Sequence, residues 1–396
     1  MFALRKKINK AILKKRSKVE SLFNGTNLRL ARQCHSFSLN EVGDAVGKSR
    51  QYIHRIEMGR DQPTTELVVG LASFLDVTPA FFYETSGVMI PEDAYHFRKL
   101  ASTRVTVKQA ALAKGELFRK FVGFIDTKLR LPACNFPSID VKAPEDIERA
   151  AERCRSEWEL GLGPINNVVR VAENAGAVVT TFHDVSTEVD ALSISSQRPI
   201  IVTNNSKGSS CRIRFDLAHE IGHFVMHEGK LTGDRATEAE ANRFGGAFLL
   251  PRSTFVKVFP KLKGSSLNWP GIIQLKMEWK VSKAAILYRA KQLDLISESQ
   301  YKSGIIYGLN RKSEAIHEKE DPLIPYEQPE LIHNALKIMK EQLGLSAEFV
   351  AEKVHMRLSL LQHFLPDLDV FKMQQELGSG SNVVQLDQFR RARSIY

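Results

Sequence analysis

The residues best suited to chemistry are His219-Glu220-Ile221-Gly222-His223. On a helix, side chains four apart lie over one another, so both imidazoles can reach one metal ion. Glu220 then stands where it can take a proton from water at that ion, whose pKa zinc lowers to about 7. A catalytic zinc site takes three protein donors and keeps one position open, so a third ligand is required. Glu238 is preferred and Glu240 competes; the two point about 160° apart around a helix, so only one can serve. Asn242, four residues beyond Glu238, is placed to orient a ligand histidine. An oxyanion wants a further electrophile, for which His227 is the candidate. Its plainer reading is a histidine at the helix end. Tyr288 and His183 are weaker choices.

A second polar set suits nucleic acid. Arg50, Gln51, His54 and Arg55 fall on the exposed side of a short helix whose Ile53 and Ile56 turn inward. Arginine pairs bidentately with guanine and glutamine with adenine, which marks Arg50 and Gln51 as base readers. Ser49, Tyr52 and Arg60 are better placed for phosphates.

These residues need elements to position them. Leu217, Ala218, Ile221, Phe224 and Val225 form an apolar stripe that predicts a helix over 215–227, with another over 237–250 stopped by Pro251. Strand-like runs cover 177–182, 190–195 and 200–203. The last, from Pro199 to Thr203, is read as an edge strand able to pair with an extended peptide. Helices are expected over 145–158 and 164–174, and residues 95–129 read as mostly helical. Toward the N-terminus, Ser38 three before Glu41 is a capping box, Ser49 and Thr64 or Thr65 cap further helices, and Thr78-Pro79 opens a fifth.

Composition limits the function classes. An apolar share of 43% in 396 residues excludes a disordered or collagenous chain and gives two or three domains. The net charge of +11 favours a polyanionic partner, nucleic acid ahead of a membrane surface. The four cysteines are scattered, which argues against a disulfide scaffold or an all-cysteine zinc site and suits the cytoplasm. No apolar run approaches the roughly 20 residues of a membrane span, so no membrane partner is expected. The chain divides into a basic extension (1–26), a helix-turn-helix domain (27–86), a helical connector (87–140), a metal-binding domain (141–260), a C-terminal helical region (261–366) and a tail (367–396). The extension is read either as a phosphate-touching arm or as a solvated extension.

Two resemblances follow. F-D-L-A-H-E-I-G-H-F-V-M-H over 215–227 and E-A-E-A-N-R-F-G-G-A-F-L-L-P over 238–251 closely resemble the ImmA/IrrE family of zinc metallopeptidase-like proteins. G-L-G-P-I from Gly161, D-A-L-S from Asp190 and W-K-V-S-K-A-A-I-L-Y-R-A from Trp279 support it. It implies one Zn2+ held by His219, His223 and a glutamate, with Glu220 as base. Gly245-Gly246 departs from the family's Phe-Ala-Ala tendency in a way that touches no ligand. Residues 28–84 resemble the Cro/C1-type (XRE) helix-turn-helix family, on the strength of the motif from Ser38 to Leu67, with 50–58 as recognition helix. Here Gly43 and Gly47 depart, standing where alanine would hold a helix better.

The expected fold is mostly α with a small β-sheet (α+β): a five-helix DNA-binding domain, a zincin-like metallopeptidase domain and a C-terminal helical region. The expected partners are a double-stranded DNA operator and a repressor-type protein substrate, with homodimerisation as the habit of the fold class. By analogy the chain is a transcriptional regulator whose zinc endopeptidase cuts a repressor, or itself, in a stress or mobile-element switch. The alternative is a non-proteolytic transcription factor or antitoxin whose metal domain, with zinc or another divalent ion, only senses a ligand or partner.

Overall fold

The computed structural model describes residues 22–84, 95–97, 104–182, 191–203, 208–365 and 384–385. Most of the basic extension, His183, Asp190 and nearly all of the tail lie outside them. The chain forms two compact units, one of residues 1–89 with 351–360 and the other of 90–350 with 361–396. No helix among the described residues is long and apolar enough to cross a membrane.

The first unit holds α1 (Gly25–Cys34), α2 (Leu39–Ala45), α3 (Arg50–Glu57), α4 (Thr65–Phe74) and a 3-10 turn at Pro79–Tyr83. Polar side chains start its helices. Ser38 and Glu41 close their capping box at 2.7 and 3.2 Å. Ser49 Oγ accepts from Tyr52 N at 3.3 Å, and Thr64 Oγ1 accepts from Leu67 N at 3.3 Å. α1 begins at Gly25, inside the stretch assigned to the basic extension, and is capped by Asn24. Gly43 and Gly47 do not weaken the motif. A Cβ on Gly43 would sit 2.5 Å from Lys48 O, and Gly47 turns the chain at a φ of +63°. Buried Glu57 takes the guanidinium of Arg32 at 2.6 and 3.1 Å, tying α1 to the recognition helix α3. Residues 351–360 return to this unit, where Thr78 N donates to His355 O and Arg357 N to Asp76 O.

The second unit is built around a four-stranded mixed sheet. Its strands are β1 (Tyr95–Phe97), β2 (Val178–Thr181), β3 (Ala191–Ile194) and β4 (Ile200–Thr203), in the order β1-β3-β4-β2. β4 runs parallel to β2 and antiparallel to β3, and β1 is antiparallel to β3. Two expectations change here. Tyr95–Phe97 is a strand, not helix; its aromatic–polar–aromatic alternation suits a two-faced position. The helix of this region, α5 (Val105–Lys128), begins only at Val105. β4 is also an interior strand, paired on both sides, so it cannot accept a peptide. The edges are β1 and β2.

Around the sheet lie α6 (Pro144–Glu157), α7 (Val168–Asn174), α8 (Ser210–Met226), α9 (Arg235–Leu249), α10 (Arg252–Val258), α11 (Trp269–Trp279) and α12 (Lys283–Gln292). Their apolar faces make one core that includes Ile221, Phe244, Phe248, Trp279, Ile286 and Leu287. α7 starts four residues later than its sequence pattern suggests, at the Asn167 cap. The preceding Gly161–Pro164 loop instead gives carbonyls to buried Arg155, which also reaches Phe248 O at 2.6 Å. Beyond α12 come α13 (Glu298–Ser303), α14 (Leu331–Leu343), α15 (Ala347–Lys353) and α16 (Leu358–Phe364). In α11, Lys276 is fully buried, and its Nζ bonds Glu318 at 2.6 Å and Asp321 at 2.5 Å. Lys283 of α12 pairs with Glu314.

Glu173, at the end of α7, accepts the Glu330 and Leu331 backbone N–H groups at 3.0–3.3 Å and so caps α14. Burial pushes its pKa up to about 7 against these bonds. The folded state therefore holds a proton that the unfolded chain releases above 4.5, and stability from this group falls as pH rises toward 7. In Glu173→Gln that decline disappears, which melting temperatures across this interval measure; parallel pH profiles for both proteins would contradict it.

Candidate metal centre and nucleic-acid interface

α8 carries His219, Glu220 and His223, all of them buried, and ends at His227. α9 begins at its Asp234 cap and brings Glu238, Glu240 and Asn242 alongside. The two helices approach closely: a Cβ on Gly222 would lie 3.0 Å from the Phe244 ring, and one on Gly245 3.3 Å from His219 N. Gly245 thus sits against the backbone of a candidate ligand, contrary to its reading as remote from any. Gly246 has ordinary room, its nearest neighbours being 3.8 and 3.9 Å away.

Three donors converge. His219 Nε2 and His223 Nε2 are 3.0 Å apart, and the Glu238 oxygens lie 3.4 and 3.3 Å from them. All three ligand atoms fall within 4.8 Å of one another. The partners behind them explain the geometry. Asn242 Oδ1 is 3.1 Å from His219 Nδ1, which places the proton on Nδ1 and leaves the Nε2 lone pair facing the centre. His223 Nδ1 is 2.9 Å from His227 Nδ1, and His227 Nε2 is 2.9 Å from Glu240 Oε2. Two imidazole lone pairs aimed at each other beside a carboxylate make a donor set that fits a divalent cation. Burial lowers the pKa of His227, partly offset by Glu240.

His227 and Glu240 therefore stand behind His223 and do not face the reacting position, so His227 is not placed as an electrophile. Tyr288 is exposed and packs edge-on against Tyr301, 6.1 Å between centroids. Glu220, next to His219 on α8, is fully buried. Ser193 Oγ of β3 donates to its Oε2, while Oε1 has no hydrogen-bond partner. A carboxylate held by one oxygen and open at the other is arranged to accept a proton.

Sequence reading missed His96. It is buried on β1, with its ring parallel to that of His223 at 4.9 Å. Nδ1 lies 2.5 Å from Thr232 Oγ1 and Nε2 2.9 Å from Ser195 Oγ. Burial, helped by the neighbouring histidines, pushes its pKa down to about 3, so the ring is neutral. Nothing local in the sequence marks it, because only strand pairing brings it there.

On the first unit, Ser49, Arg50, Gln51, His54, Arg55 and Arg60 are exposed and Tyr52 is half-buried. Ile53 and Ile56 are fully buried, as their spacing predicts. Arg55 is committed to Asp61 at 2.7 Å and stands over the Tyr52 ring, which Lys48 also covers. No comparable bond holds Arg50 and Gln51 among those the structure describes for α3, and they head the helix at its solvent face.

A helical pair bearing two histidines and a glutamate beside a small mixed sheet is a group that could hold a metal ion, joined in one chain to a helix-turn-helix. Residues 172–291 match the family model of the IrrE N-terminal-like domain, a peptidase family, and residues 28–82 match that of the helix-turn-helix. The chain is a fusion of an XRE-type DNA-binding domain with an ImmA/IrrE-like peptidase domain, and hence a DNA-binding regulator with a protease-like part. No curated protein matches it.

The glycine contacts give a paired expectation. Gly246→Ala should raise stability by about 0.5–1 kcal/mol, the ordinary gain of alanine within a helix. Gly245→Ala should lose that gain, because its methyl presses on the His219 backbone. Thermal melts of both variants test this; an equal rise in both would show that α8 and α9 part freely.

Proposed function

We propose that the second domain is a zinc-dependent endopeptidase that cuts a repressor-type protein or this chain itself. The DNA-binding domain would then place that cut in a transcriptional switch. The observation that carries this reading is the buried Glu220 carboxylate, one oxygen without a hydrogen-bond partner, on the residue next to His219 of the converging His219, His223 and Glu238 set. A purely structural ion has no use for such a group. His219, His223 and Glu238 would hold a divalent ion, which when bound would polarise a carbonyl and acidify water. Glu220 would serve as the base and then return the proton to the departing amine. Ser193 holds one oxygen of that carboxylate and leaves the other without a hydrogen-bond partner. Asn242, and His227 through Glu240, hold the ligand imidazoles in their tautomers.

The test compares wild type with Glu220→Gln, each loaded with zinc and incubated alone and with repressor-type proteins. Fragments should appear only with wild type, while both bind the metal by elemental analysis. Glu238→Gln should lose the metal itself. Equal cleavage by wild type and Glu220→Gln would remove Glu220 as the base.

For the first domain we infer that Arg50 and Gln51 read bases, with Ser49, Tyr52 and Arg60 on phosphates and His54 and Arg55 beside them. A homodimer would repeat this contact on a palindromic operator. Arg50→Ala should cost about 1–3 kcal/mol at one base pair and leave the others unchanged. Binding measured against single-position operator variants decides it; a uniform loss would make Arg50 a phosphate contact.

A further inference from the structure

β1 occupies an unusual place. It is the outermost strand, it pairs antiparallel with β3, and its central residue His96 lies opposite Ser193. Ser193 is the residue whose hydroxyl holds Glu220. Alternation along a strand puts both members of this cross-strand pair on the α8 side of the sheet. There His96 stacks on His223, while Leu192 and Ile194 face the opposite side, near Gly115 of α5. An extended peptide that added to the β3 edge would take this very line, with its central residue over the ligand helix.

Both faces of β1 are pinned. On the α5 side, Tyr95 Oη donates to buried Glu116 at 2.9 Å, and Glu116 is in turn held by Arg119. On the α8 side, His96 reaches Thr232 and Ser195. The segment begins six residues after the first unit ends at Met89.

We propose that β1 is an internal stand-in for substrate. Residues Tyr95–Phe97 hold the β3 edge that a peptide would take, so that edge is filled by its own chain until the segment is displaced. The ligand class that follows is an extended peptide with large apolar residues flanking a polar one. The functional consequence rests on the endopeptidase reading; the edge occupancy does not. A site vacant one time in ten binds its ligand about tenfold more weakly, and displacement of β1 restores that factor.

The test uses the full-length protein and a heavy-isotope-labelled peptide with the sequence of residues 93–100. Amide hydrogen exchange is followed by mass spectrometry in wild type as peptide is added. The expected result is loss of protection at residues 95–97 while 192–194 stay protected. Continued protection of 95–97 with peptide bound would overturn the proposal, since the peptide would then be adding elsewhere. In parallel, Tyr95→Phe and His96→Ala should raise kcat/KM on an external quenched peptide about tenfold or more, mainly through KM. Tyr95→Phe keeps the ring and loses only the bond to Glu116, which guards against misfolding. Unchanged kcat/KM in both variants of an active enzyme would overturn the proposal and leave the endopeptidase reading intact. Exchange at 95–97 without cleavage by any variant would do the reverse.

Discussion

The second unit depends on one constraint: two neutral imidazoles are pressed together in a dry interior with their unshared pairs facing. Such a pair is unfavourable without a cation, and every neighbouring device serves to hold it. α8 sets the four-residue spacing, and the glycine contact at Gly245 lets α9 come near enough for Glu238 to complete the set. Asn242 and His227 then keep the ring protons on the outward nitrogens. Because burial forbids solvent from filling these roles, each partner must be supplied by the chain.

The features legible in the sequence are those that repeat locally. The helical spacing of His219 and His223, the Asn242 offset from Glu238, and the capping box of Ser38 and Glu41 are all short-range patterns that one element can express. What was not legible depends on pairing across long separations. The strand at Tyr95–Phe97 is three residues long and gains its stability from β3, nearly a hundred residues away, so no periodicity announces it. The same holds for β4. Its apolar run is equally suited to an edge or an interior position, and only the strand order decides. Gly43 and Gly245 illustrate a third kind of blindness. Each looks like a weak point in a helix, yet each marks a close backbone approach: a methyl on Gly43 would meet Lys48 O at 2.5 Å, and one on Gly245 would press on His219 N at 3.3 Å.

The DNA-binding unit obeys a similar economy. Its recognition helix is anchored from inside by Glu57 and Arg32, while Arg55 spends its charge on Asp61. The solvent-facing start of α3 is thereby left to Arg50 and Gln51. Division of the polar residues into anchors and readers follows from which of them already have a partner, a distinction that residue type alone does not make.

The two buried lysines bear on how far the peptidase-like domain extends. The family match closes at residue 291, shortly after Lys276 and Lys283, yet the carboxylates that neutralise them lie at Glu314, Glu318 and Asp321. A fragment trimmed to the family boundary would strand two ammonium groups in an apolar interior, at a cost of roughly 3–5 kcal/mol for each broken pair. The smallest autonomous piece of this enzyme-like half is therefore longer than its homology suggests, and must keep the stretch that ends at Asp321.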